Sequence, residues 1–187
     1  MTGTAQTRTL SVEPADYRTI SAFGELVGPD PAAAPAPSVF YPGTATYGFG
    51  EFSSDEDTVL ILSRVQPRPL AVQYLERHFK HTQTFIPLGG KPFVMVLAPP
   101  DGGDAPDLDQ VRAFSFDGTA AMCLRVGCWH EFPFALQPDT DLISILRDET
   151  YRAVGQSDER GEAHGPDIDK QDVVARQGVR FELGPIA

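Results

Sequence analysis

Glu76 and His78 stand two residues apart in Leu70-Ala-Val-Gln-Tyr-Leu-Glu-Arg-His78, a short β-prone run. Side chains of a strand alternate between its faces, so the spacing puts Val72, Tyr74, Glu76 and His78 on one surface. A carboxylate beside an imidazole can pass a proton to and from a reacting group, or offer two ligands to a divalent ion. Taken alone, each also has a plainer explanation. A strand histidine is often structural or surface-facing, and an inward glutamate can be satisfied by an arginine such as Arg77.

The elements that must position this pair are read from the texture of the chain. Seventeen Gly and 17 Pro divide it into pieces of strand length. β-prone runs cover 58–64, 70–78, 83–88, 92–98, 108–116, 120–126, 131–136 and 142–146. About eight strands at near-regular spacing predict an all-β jelly-roll barrel. Tyr17, Ile20, Phe23 and Leu26 recur at three-residue spacing before Gly28, which predicts a short amphipathic N-terminal helix over 14–27. Residues 29–38, rich in Pro and Ala, read as a loop. The whole chain, 1–187, is expected to be one domain with a core over about 13–150, a polar tail over 151–187 and an edge strand over 179–183.

Composition narrows the function classes. The 187 residues hold 15 Lys and Arg against 26 Asp and Glu, a formal net charge of −11. That charge argues against a nucleic-acid or anionic-membrane partner. No window reaches the length of a membrane span and no basic, apolar leader opens the chain, so a cytoplasmic protein is expected. Cys123 and Cys128 do not form a CxxC pair and read as buried, reduced thiols.

The spacing beyond His78 resembles the first cupin motif, G-x5-H-x-H-x3-4-E-x6-G, with Glu76 in place of the first His, Gln83 in place of Glu, and Gly90 closing it. Gly127-Cys-Trp-His130 resembles the core of the second motif, with Gly118 upstream and Arg125 where a Pro is usual. In such a barrel Glu76, His78, Gln83 and His130 would aim at one point in an interior able to hold a small ligand. One carboxylate, one amide and two imidazoles could hold a divalent ion, or could bind a small carboxylate and move protons with no metal. On the plainer view, Gln83 satisfies backbone groups, Trp129, Phe132 and Phe134 are packing, and His81 and His164 face solvent.

Arg64-Val-Gln-Pro67, Leu75-Glu-Arg-His78, Thr82-Gln-Thr-Phe-Ile-Pro-Leu88, Pro106-Asp-Leu108, Arg112-Ala-Phe114 and Trp129-His130 together resemble the ureidoglycolate lyase family over roughly residues 13–150. The resemblance implies a cupin fold and cleavage of ureidoglycolate to glyoxylate and urea. It also implies a cytoplasmic homodimer and use of a divalent metal such as nickel; manganese and zinc are the other candidates, or no metal at all. Glu76, His78 and His130 would be catalytic, the same three with Gln83 being the metal set. Arg64 or Arg125 would grip the substrate carboxylate, because a guanidinium makes two-pronged contacts. Tyr74, Gln83 and Glu131 would complete the substrate contacts. Leu124 and Arg125 stand where the family carries a Tyr-His pair, and Glu131 where it carries a second His. Those departures keep open a diverged enzyme for another small hydroxy or amino acid, or a non-catalytic binder of small acids.

Overall fold

The computed structural model describes residues 5–29 and 36–186. Two sheets face each other and a third, smaller one backs the first. The largest sheet runs Ala163–His164, Ile168–Asp172, Tyr74–His78, Trp129–His130, Phe93–Ala98, Arg112–Phe116 and Val12–Pro14, with Phe134–Ala135 also paired to Phe93–Ala98. The facing sheet runs Gly24–Val27, Ala121–Leu124, Gln83–Leu88, Thr140–Arg147 and Thr58–Val65. The all-β, cupin-like architecture expected from the strand texture is what the chain adopts.

Strand Phe93–Ala98 shows how the layers are built. Phe93, Met95 and Leu97 enter the core between the two large sheets, beside Phe23, Phe85, Phe114 and Met122. Val94, Val96 and Ala98 point the other way, into a second core with Leu75, Trp129, Val173 and Phe181. A strand buried on both faces needs an unbroken apolar run, and all six residues are fully or almost fully buried. Each such side chain contributes about 1.5–3 kcal/mol through burial.

The second core depends on residues expected to form a polar tail. After Arg147 the chain forms a helix, Asp148–Val154, then strands Ala163–His164 and Ile168–Asp172, a short helix Val173–Gln177 and strand Val179–Leu183. Asp172 caps the second helix by accepting from the Ala175 N–H at 2.8 Å. Strand 179–183 is not an edge: it lies between Gln6–Leu10 and Ala71–Val72 in the third sheet. Glu162, in a stretch that looks too polar for an interior, is buried and held in a fork by Arg176 at 2.6 and 2.9 Å.

At the N-terminus, the three-residue spacing is realised as hydrogen-bonded turns over 17–23 rather than a helix over 14–27. Ile20 and Gly24 still donate to carbonyls four residues back, and Ile20 and Phe23 enter the core. From Gly24 the chain extends into strand Gly24–Val27 because a Cβ there would lie 2.1 Å from the Cys123 carbonyl oxygen, so glycine permits this close pairing. Gly118, with φ of +87°, sits against the Gly90 backbone at 2.5 Å from where its Cβ would be, which explains both motif glycines at once. The Pro/Ala-rich loop falls mostly on 30–35, outside the described residues; Ala36–Pro37 pairs with Thr46–Tyr47.

Candidate active site

Strand Tyr74–His78 lies in the largest sheet, between Trp129–His130 and Ile168–Asp172. Its outer face carries Leu75, in the second core, and Arg77, which meets Asp169 at 3.2 Å and Asp101 at 3.7 Å. Its inner face carries Tyr74, Glu76 and His78. Val72 does not share that face; the strand breaks at Gln73, and Val72 packs with Leu75. Register sets a row across the sheet: Lys170 opposite Glu76, Glu76 opposite His130, His130 opposite Leu97. Directly opposed residues project to the same side. Gln83 reaches in from the facing sheet, where it pairs with Leu124.

These placements bring four of the expected groups together. Glu76 Oε1 lies 3.4 Å from His130 Nε2 and 4.0 Å from His78 Nε2. His78 Nε2 is 2.9 Å from Gln83 Oε1. His78, Gln83 and His130 are buried, and the Glu76 side chain keeps 15% of its surface accessible. Phe85 lies edge-on to both His130 and Phe132, closing one wall.

Protonation follows from partners. His130 Nδ1 is 3.2 Å from the Cys128 carbonyl oxygen, which can only accept, so Nδ1 carries the hydrogen. His130 Nε2 then faces the Glu76 carboxylate at 3.4 Å and has no hydrogen-bond partner among the described residues. Burial by itself would raise the Glu76 carboxyl, but His130, His78 and the charge of Lys170 hold it down at about 2. Burial lowers His78 to about 4, reinforced by His130. At neutral pH the centre therefore holds an ionised Glu76 beside a neutral His78.

The donor set fits a divalent ion. One nitrogen or oxygen each from Glu76, His78 and His130 lies within 4.8 Å of the others, and a carboxylate with two imidazoles is a donor set that divalent ions take. Gln83 Oε1 lies 2.9 Å from His78 Nε2, beside this set.

The remaining expected contacts divide. Glu131 and Tyr74 are at the rim: Glu131 accepts from the Tyr74 N–H at 3.4 Å and meets Arg68 at 3.5 Å. Burial pushes the Glu131 carboxyl above its usual range, with Arg68 opposing. Arg64 is not brought to the centre; it is an exposed residue of strand Thr58–Val65, held in a fork by Asp141 at 2.9 Å on both arms. Arg125 is likewise exposed, at the turn after Ala121–Leu124. His81 is not solvent-facing but buried, its Nδ1 2.8 Å from Asp167 and its ring 4.7 Å from that of His78. His164 is half exposed and bound to Asp169. Both cysteines are free and buried, as expected.

Lys170, Asp167 and Arg68 were not singled out from the sequence. The first two belong to a stretch whose two faces are both polar, and Arg68 lies in a Pro-flanked connection. Only the register against Tyr74–His78 would have revealed Lys170.

Fold and site together define a small cupin-like β-barrel with a buried Glu-His-His-Gln centre. The family model described as ureidoglycolate lyase matches residues 7–171. The chain belongs to the ureidoglycolate lyase family. The ureidoglycolate lyase of Azotobacter vinelandii is 35% identical over 148 residues, covering 75% of this chain and 86% of that protein. Those of Escherichia coli O1:K1 and Shigella boydii serotype 18 are 39% identical over 99 residues, 52% of this chain and 61% of each relative.

Proposed function

We propose that this protein cleaves the C–N bond of ureidoglycolate, releasing glyoxylate and urea; its relatives are named ureidoglycolate lyases. The observation that carries this reading is the buried contact of a carboxylate with an imidazole nitrogen, Glu76 Oε1 to His130 Nε2 at 3.4 Å. Ureidoglycolate carries a hydroxyl and a ureido nitrogen on one carbon, so its cleavage needs one proton moved from oxygen to nitrogen. Glu76 takes the hydroxyl proton, the C=O bond forms, and the C–N electron pair leaves with the nitrogen. That nitrogen receives the proton from Glu76 itself or through His130 Nε2, and the balance closes with no net proton change.

Glu76, His78, His130 and Gln83 would hold a nickel, manganese or zinc ion, which when bound would polarise the substrate hydroxyl or carboxylate oxygen. The test is glyoxylate and urea release by purified protein, before and after chelator treatment with each metal restored. Turnover lost to the chelator and regained with one ion is expected. No turnover by folded, metal-supplemented protein would redirect the search to other small hydroxy or amino acids. A cytoplasmic homodimer fits the same reading. The exposed Leu60, Leu62 and Leu88 on the outer side of the facing sheet support a second copy as their cover, and sedimentation would show a monomer if they do not serve this way.

A further inference from the structure

The site is rich in negative charge and must accept a negative substrate. Glu76 faces the centre, Glu131 lies at the rim with Arg68 3.5 Å away, and a carboxylate arriving beside these acidic side chains is held better where a further cation is at hand. The arginines of the neighbourhood are engaged elsewhere. Arg68 meets Glu131 and lies 3.6 Å over the Phe134 ring; Arg77 is on the opposite face of the sheet with Asp169 and Asp101; Arg64 is bound to Asp141 on the outside of the barrel.

Lys170 is different. It is the cross-strand neighbour of Glu76, on the same face and in the same row as His130. Its ammonium stands 4.9 Å over the Tyr74 ring, whose hydroxyl is anchored to the Arg160 carbonyl at 2.9 Å. That stacking orients the head group without neutralising it. Among the described residues Lys170 makes no hydrogen bond and no ion pair, and its side chain is partly accessible. Directly opposed residues have Cα atoms about 5 Å apart and project to the same side, so one small hydroxy acid can meet the side chains of both.

We propose that Lys170 is the substrate-anchoring cation of this site, binding the carboxylate so that the adjacent hydroxyl falls on Glu76. This rests on the reading above for the identity of the substrate, but its test does not depend on turnover. A carboxylate held by a charge-assisted contact loses about ten- to hundred-fold in affinity when the cation is removed.

The experiment compares wild type with Lys170→Met and Lys170→Arg. Binding of glycolate and of its neutral amide, glycolamide, is measured by calorimetry, and KM and kcat with ureidoglycolate are measured alongside. Thermal unfolding checks that each variant is folded. Lys170→Met is expected to weaken glycolate about ten-fold or more, to leave glycolamide within about two-fold, and to raise KM far more than it lowers kcat, with Lys170→Arg recovering most of the loss. Equal effects on glycolate and glycolamide, or unchanged glycolate binding, would overturn the assignment. A kcat loss at constant KM would overturn it too, since it would make Lys170 a positioning residue that acts through Glu76. Should Lys170→Met not fold, the same glycolate-to-glycolamide ratio in Lys170→Gln decides. Lys170-dependent glycolate binding without wild-type turnover would sustain the anchor and overturn the lyase reading instead.

Discussion

Replacing Asp167 should both loosen the fold and detach the turn that carries the site. Asp167 is 1% exposed and accepts four hydrogen bonds. They come from His81 Nδ1 at 2.8 Å, the Thr150 hydroxyl, the Phe79 N–H at 3.0 Å and the Lys80 N–H at 2.7 Å. Residues 79–82 are the connection between His78 and Gln83, so this one carboxylate fixes the turn on which both depend. Asp167→Ala leaves four donors short of a partner in a buried place. Each orphaned donor costs about 1–3 kcal/mol before relaxation. Water entering the space recovers part of that, so the net loss should be about 3–5 kcal/mol, the range found when a buried charged partner is removed. Urea unfolding followed by circular dichroism measures it, and a loss under about 1 kcal/mol would refute the reasoning. The pH dependence gives a second check. Burial would raise the Asp167 carboxyl, but hydrogen bonds from His81 and Thr150 pull it well below the ordinary 3.8. A carboxyl lowered on folding contributes stability that is complete above the unfolded value and is lost as pH falls toward the folded one. Wild-type stability should therefore fall from about pH 5 downward more steeply than that of Asp167→Asn; parallel curves would contradict the assignment.

Phe181→Ala should cost about 3–5 kcal/mol, because Phe181 is 1% exposed in the second core, and a loss below about 1 kcal/mol would mean that residues 173–183 do not complete that core. His78, lowered from 6.5 to about 4 by burial and by the neighbouring His130, should stay neutral from pH 7 down to about pH 5. Its protonation costs stability progressively as pH falls through that interval between unfolded and folded values. Imidazole NMR shifts of His78 that titrate near pH 6.5 in apo protein would contradict this.

The centre was legible where spacing is local. Alternation in Leu70–His78 puts Glu76 and His78 on one face whatever the tertiary structure, and the turn to Gln83 is short enough for motif spacing to survive. His130 was singled out by its motif, and the register sets it opposite Glu76. What was not legible depends on partners far along the chain. His81 reads as solvent-facing until it is seen buried against Asp167, 86 positions later. Strand Ile168–Asp172 hides its alternation because both faces are polar, Asp169 answering Arg77 on one side and Lys170 facing Glu76 on the other. Arg64 looked like an anion clamp, but its register partner Asp141 satisfies it on the outside of the barrel. In place of the helix expected over 14–27, turns lead to Gly24, where close approach to Cys123 favours a strand that no local periodicity announces.

In the proposed reaction Glu76 is the group that takes the substrate's proton. Its most direct test is the rate of glyoxylate and urea release from ureidoglycolate by wild type and by Glu76→Gln, each supplemented with the ion that supports activity. Wild type should turn over, and Glu76→Gln, with unchanged unfolding temperature, should lose about 10²- to 10⁴-fold in kcat. A folded Glu76→Gln variant that keeps the wild-type rate, or a folded wild type that releases neither product, would contradict it.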